Sequence, residues 1–506
     1  MKAICFVIIA GVSAFFGTGG GWAGDTGTSG TKTGTFSGEV NRSVLSAPSG
    51  QSVPSVISLP SVQSVPSVPS PLFPQTKGTS SDSLVQGWEN PPREARLRAY
   101  WWWLNGNATT EAITRDLEEM KAKGFGGALI CDADGSSQDG NDRAPHGPTF
   151  FSPEWRELFK HTLREADRLG LEMSLNIQSG WNLGGPMVTP DDAAKKLTWS
   201  ELRVTGPAKV EAALPVPPSR DGYYRDLFVV AYREKPAPAK KRRPIDQFEY
   251  KAMYKTLNFS APDTTPLVQD SYAEPDEEDT NTRDVVDLTP ELAPDGTLRW
   301  DAPEGEWEIL RFGCTIGDHS RVSTSSEGWT GFALDVLDAG AFQRYWDAVV
   351  EPLIADAGPL AGKTLKYLHT DSWEVEAVNW TPTLREAFQR LRGYDFLPWL
   401  PVLAGRIVNS RAESNRFLND YRKTLGDLAI ENHYRLFRDG ARRHGMQIHP
   451  ESGGPHASPI DAQRCLGNND AYADYDIEPN GAFLANTAEL FLADFVEGTV
   501  DRDAFL

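Results

Sequence analysis

Cysteine is scarce. The 506 residues hold 4, and Cys5 falls in the first apolar stretch, which leaves Cys131, Cys314 and Cys465. That excludes a disulfide-built scaffold, which needs a dense set of paired cysteines, although one bridge among the three stays open. No Cys/His cluster has the close spacing of structural zinc. Positive charge is also in deficit, with 50 Lys and Arg against 70 Asp and Glu and a formal net charge of −20. Nonspecific nucleic-acid binding, which works by neutralising phosphates, is thereby excluded, while an uncharged polymer fits as a partner. Past the N-terminal stretch no apolar run is long enough for a membrane helix. What is present is 40% hydrophobic and 10% aromatic residues, enough for a large core.

Lys2 supplies a positive end, residues 3–16 an apolar segment, and Gly21-Trp22-Ala23 a small-residue cleavage region. Residues 1–23 are therefore expected to be a signal peptide, and the protein to be exported, periplasmic or extracellular, with no stable membrane insertion after processing. Residues 24–87 are rich in Gly, Ser, Thr, Pro and Val and repeat "SVPSV" and "SVPSVPSP". With few large side chains to bury, they are expected to form a low-complexity flexible spacer.

From residue 88 the pattern changes. "AYWWWLNG" reads as a strand, and "TEAITRDLEEMKAKGFG" then places Ile113, Leu117 and Met120 at helical spacing with Gly124 near the stop. "FGGALICDADG" is an apolar strand entering an acidic loop. "SPEWRELFKHTLREADRLGL" is a second helix, capped by Ser152, with Glu154 and Glu157 near its positive end. "EMSLNIQSGWNLGGP" repeats the strand-to-loop step. This alternation predicts an α/β fold with helices covering a parallel sheet or barrel. Polar residues collect just after the strands, at Asp132, Asp134, Asn176, Gln178, Trp181 and Asn182, the face on which βα loops build active sites in barrels.

Residues 88–198 are read as the first part of that barrel. Residues 199–340, with short strand candidates in "ELRVTGPAKVEAALP", "DLFVVAYREK" and "EGEWEILRFGCTIG", are read as a β-rich insertion. Residues 341–470 resume the main pattern, and 471–506 form a divergent tail without further strand–helix units. Roughly five barrel strands are countable, an incomplete set for eight units.

The chemistry concentrates in "KYLHTDSWEVEAVNWTP" and "MQIHPESGGP". Glu374 and Glu451 each follow a strand candidate, so a barrel brings them to one face, where a carboxyl pair can cleave a glycosidic bond. Asp371, Glu376 and Asn379 are candidate oxygen ligands for a hard cation, with a solvated acidic cluster as the other reading. Trp181 and Trp373 lie beyond strand ends and suit stacking on sugar rings. Trp101, Trp102 and Trp103 cannot all face one way on a strand; Trp103 is taken as the one that reaches the cleft. Asn176, Asn182, His369 and His449 carry hydrogen-bonding groups suited to sugar hydroxyls, and serve loops and packing equally well.

The ordered phrases "YWWWLNG", "SGWNLGGPMVTP", "HTDSWEVEAVNWTP", "RGYDFLPWLPVLAGRIV", "RFLNDYRKT" and "HPESGGPHASPIDAQRCLGNND" together resemble glycoside hydrolase family 106, the α-L-rhamnosidase-like proteins, over about residues 88–470. The resemblance implies a (β/α)8 catalytic domain with β-rich additions, calcium-assisted binding, and inverting hydrolysis of rhamnose-containing polysaccharides or glycosides. It places Glu374 as the acid and Glu451 as the base or a metal-associated acid. After "LGNND" the family's acidic–aromatic segment gives way to "AYADYDIEP", so one functional glutamate of the family has no match. A noncatalytic carbohydrate-binding or truncated inactive homologue is the alternative expectation.

Overall fold

The computed structural model describes residues 81–134, 145–235, 243–255, 267, 273, 275–371, 375 and 378–450. The expected leader, the tail 471–506 and four of the expected site residues, Trp373, Glu374, Glu376 and Glu451, lie outside the described residues. The end of the expected spacer needs correction: Ser81–Glu89 is a helix, because the proline-rich repeats stop before it and the next proline, Pro91, follows it.

Parallel strands and helices alternate as the apolar spacing demands. Strand β1 (Arg98–Leu104) leads to the helix Thr110–Ala122, whose N-terminus is capped by the Thr109 side chain and which buries Ile113 and Leu117. β2 (Gly127–Ala133) leads to the helix Pro153–Leu169, capped by Ser152 Oγ accepting from Trp155 N and closed by left-handed Gly170. β3 (Glu172–Ser179) follows. Both β2 and β3 are buried along their whole length, as expected of strands covered on both faces.

The chain then leaves this sheet. β4 (Gly184–Gly185) pairs antiparallel with the later β9 (Phe332–Ala333). Between them β5 (Lys195–Ala213), β6 (Arg225–Arg233), β7 (Val285–Asp287) and β8 (Thr297–Ile316) make an antiparallel sheet in the order β5-β8-β6-β7. Much of β5 alternates exposed and half-buried residues, the pattern of a sheet with one wet face. Val210, Val229, Ala231, Leu298 and Ile309 form a core of its own. β10 (Leu365–His369) and β11 (Gln447–Ile448) then return parallel to β3, giving the order β1-β2-β3-β10-β11. Among the described residues this sheet does not close into a barrel.

Several contacts fasten the antiparallel sheet to the rest. Lys195, at the start of β5, lies 3.8 Å from Asp335, and both are buried. Asn379 accepts from Leu197 N (2.7 Å) and donates to Ala252 O (2.9 Å). Arg406 reaches back to Glu308 of β8 at 2.7 Å and to Tyr232 of β6 at 3.0 Å.

The parallel sheet is strongly curled. The Tyr100 ring of β1 meets the His369 ring of β10 edge-on, centroids 5.9 Å apart, and the Arg98 guanidinium stands 5.0 Å from the Tyr367 ring. These contacts span the two intervening strands, β2 and β3, so they cross a concave face.

Candidate active site

Strand register builds a row across that concave face. Trp102 pairs with Cys131; the β2–β3 register shifts after Ile130, but Asn176 Nδ2 lies 3.6 Å from Cys131 Sγ; and Asn176 pairs with His369. Level residues on adjacent parallel strands point to the same face. The Leu368–Ile448 pairing then brings His449 next to His369. All of these residues lie at or near the C-terminal ends of their strands.

His369 is wholly buried, with Nδ1 2.6 Å from the His449 carbonyl and 3.1 Å from His449 Nδ1. A carbonyl only accepts, so His369 Nδ1 carries the proton, and in the neutral ring Nε2 is left as an acceptor. That Nε2 is buried without a hydrogen-bond partner, 3.6 Å from Asp371 Oδ2. Asn176 Nδ2 donates to Gly180 O at 3.4 Å, and its Oδ1 is likewise buried without a hydrogen-bond partner. Burial, with His369 and Arg98 adding to it, holds the His449 pKa well below the usual histidine value, so that ring is neutral.

The rim is made where β3 ends. Gly180 has φ +74°, and a Cβ there would lie 2.0 Å from Ser323 O, so the "SGW" turn admits only glycine in this packing. The segment 321–326 lies across the strand ends: Trp181 N donates to Ser323 O (3.1 Å), Asp134 N to Thr324 O (2.8 Å), and Asn182 Nδ2 to Arg321 O (3.1 Å). The Gln178 amide donates to Trp181 O and accepts from Thr370 Oγ1 at 2.9 Å. The Trp181 ring meets the Trp102 ring edge-on, 4.9 Å between centroids.

Asp132 anchors this rim. Its carboxylate accepts from Ser179 Oγ, Ser326 Oγ and Trp155 Nε1, the last at 3.0 Å, and Ser326 N donates in turn to Ser179 Oγ at 2.7 Å. Burial pushes the Asp132 pKa up to about 6 against the opposing pull of these donors.

Two expected roles are corrected. Trp103 does not reach the cleft; it is 2% exposed and packs against Trp101 and Trp155 on the other face of β1. The indole on the concave face is Trp102, 45% exposed, and strand parity alone fixes that one of the two is inside but not which. Asn379 is not a metal ligand, since its amide is spent on Leu197 and Ala252 in a fully buried position. Among the described residues no group of three or more His, Cys, Asp or Glu gathers to hold a metal ion. Of the acids expected to ligate a cation, Asp371 alone lies among the described residues. Cys131 and Cys314 are both buried, and the Cys131 sulfur accepts from Asn176 Nδ2 at 3.6 Å. Tyr100 and the Asp132–Ser179–Ser326 network were not singled out in the sequence as site residues; Asp132 is legible there only as an acid at a strand end.

The family of α-L-rhamnosidases, glycoside hydrolase family 106, matches residues 89–243 and 223–473. A putative beta-glucuronidase from Formosa agariphila is 34% identical over 381 residues, which are 75% of this chain and 31% of that protein. The structure of a rhamnosidase from Novosphingobium sp. PP1Y resembles this one with a TM-score of 0.63 at 26% identity, covering 76% of this chain and 48% of its own. The chain thus spans less than half the length of both. With the family pattern running through all five parallel strands and the antiparallel sheet between them, the chain belongs to glycoside hydrolase family 106.

Proposed function

We propose that this chain carries the catalytic end of a glycosidase that removes a terminal α-L-rhamnosyl residue from a polysaccharide or glycoside, with inversion. The observation that supports it best is the row Trp102, Asn176, His369 at the strand ends, which joins an exposed indole to buried acceptor atoms on one concave face. Sugars present both an apolar ring face and hydroxyl donors, and few other ligands ask for that pair. In this reading the five parallel strands are the leading part of a (β/α)8 barrel, whose C-terminal face holds the active site. Glu374 follows β10 in the chain and Glu451 follows β11, the chain order that this reading asks of its two carboxylates. Glu374 protonates the leaving oxygen, and Glu451 activates the water that attacks from the opposite side, which asks for about 6.5 to 9.5 Å between the carboxyl groups. Calcium binding by the acidic segment 371–376 is proposed as a separable property, and no step depends on it. Export through the N-terminal leader belongs to the same proposal.

A second reading, cleavage of a β-glucuronide, is favoured by the name of the 34% identical relative. A uronate carboxylate needs donors or a cation. The concave row offers acceptors, Arg98 is committed to Glu172, and Arg321 pairs with Asp221 at 3.0 Å, which weighs toward an uncharged sugar. The test is release of L-rhamnose from aryl and natural α-L-rhamnosides by the purified chain, with an aryl β-glucuronide in parallel. Cleavage of the glucuronide alone overturns the first reading. Binding without turnover of either leaves a carbohydrate-binding protein.

A further inference from the structure

Two polar atoms on the concave face are in an expensive state. Asn176 Oδ1, an acceptor, and His369 Nε2, an acceptor when the ring is in its neutral Nδ1–H form and 3.6 Å from Asp371 Oδ2, are both buried, and neither has a hydrogen-bond partner. Leaving such a group unmade costs about 1 to 3 kcal/mol, and native proteins rarely keep one without a use for it. Both belong to neighbouring residues, paired across β3 and β10. Their other polar atoms are occupied, Asn176 Nδ2 by Gly180 O and His369 Nδ1 by His449 O, so each ring or amide is held with its acceptor outstanding. Neither can be satisfied by the other, since two acceptors share no proton.

Trp102 is the complementary anomaly. In the run Trp101-Trp102-Trp103 it alone is exposed, although it lies on the same face and in the same row as Asn176 and His369. Trp181 meets one side of its ring system edge-on at 4.9 Å, and Tyr100 lies 6.2 Å away below it. Tyr100 in turn touches His369 across the curl, so the indole and the two buried atoms lie on one concave face.

We propose that Trp102, Asn176 and His369 form a clasp for a single pyranose ring: the Trp102 indole carries the apolar face of the ring, while Asn176 Oδ1 and His369 Nε2 each accept a hydroxyl proton from its edge. The proposal rests on the glycosidase reading above and adds to it the residues that hold the sugar. His449 is a positioning residue, fixing the His369 proton on Nδ1. Trp103, one residue from Trp102, has no part in the clasp because it faces the helices.

The test is titration of the purified chain with L-rhamnose, and separately with D-glucuronate, by calorimetry or saturation-transfer NMR. L-Rhamnose is expected to bind, and Trp102→Ala and His369→Phe each to weaken it about tenfold, the loss of one good contact. Trp103→Phe, on the opposite face, is expected to leave the affinity unchanged. Equal L-rhamnose affinity in wild type and Trp102→Ala overturns the clasp and leaves the rhamnoside reading standing. Binding of D-glucuronate instead, weakened by the same two substitutions, supports the clasp and overturns the rhamnoside reading. No saturation of the wild type by either sugar overturns the clasp. Should His369→Phe fail to fold, Trp102→Ala decides alone, since its indole is partly in solvent already.

Discussion

His369 and His449, 80 positions apart in the chain, meet across neighbouring strands, Nδ1 to Nδ1 at 3.1 Å. The closeness is compatible with only a limited set of protonation states, because two rings sharing one contact cannot both present a proton there. With the His449 carbonyl accepting from His369 Nδ1, the His369 tautomer is the Nδ1–H form, and His449 is held neutral by burial. Long-range proton–nitrogen NMR of the imidazoles is expected to show His449 uncharged as the pH falls below 6.5. A His449 ring that titrates at the ordinary histidine value would contradict this packing.

Asp132 makes a prediction of opposite sign to the usual carboxylate. Its pKa rises from the ordinary 3.8 to about 6 in the folded chain, so between those values the native state binds a proton that the unfolded state does not. Its contribution to stability is full below about pH 4 and is lost as the pH rises through about 6. Chemical denaturation of wild type and Asp132→Asn at several values from pH 4 to 7 is expected to show the stability gap shifting across that window. A gap that stays constant would mean that Asp132 titrates normally.

Gly180→Ala tests the rim. The added methyl would meet the backbone of residues 323–325, at 2.0 to 2.8 Å, in a left-handed conformation that L side chains avoid. A loss of about 2 kcal/mol or more is expected, together with faster amide exchange at Trp181, whose N–H bonds to Ser323 O. Protection of Trp181 equal to wild type would show that the segment 321–326 is held by other means.

Asn379→Ala separates scaffold from ligand binding. Removal of the amide strands the Leu197 N–H and the Ala252 carbonyl in the interior, for an expected cost of about 2 to 4 kcal/mol. Any calcium affinity of the chain, measured by calorimetry on the folded variant, is expected to be unchanged. A selective loss of calcium binding with normal stability would restore the ligand role.

The strand–helix alternation was legible because it is local. Ser152 and Gly170 mark the ends of one helix within reach of its own residues, and the polar run after each apolar strand marks the site face. What was not legible depends on distant partners. Trp102 and Trp103 exchange roles according to which side of β1 meets Trp155, and no nearby residue says so. Asn379 reads as a ligand until Leu197, 182 positions away, claims its oxygen. The 19-residue β5 reads as a shorter strand because Gly206-Pro207 interrupts it. Glu374 and Glu451 are legible by position alone, and the described residues add only the strands that precede them.

The ion pair between Lys195 and Asp335 restricts the order in which this chain can change through descent. A descendant that loses residues 195–316 loses with them Lys195, a cation facing a fully buried carboxylate whose pKa burial already pushes up to about 6. An uncompensated charge in such a place costs several kcal/mol, a large part of the margin by which a domain stays folded. A relative without the sheet is therefore expected to carry an uncharged residue where this chain has Asp335, and that substitution must come before the loss.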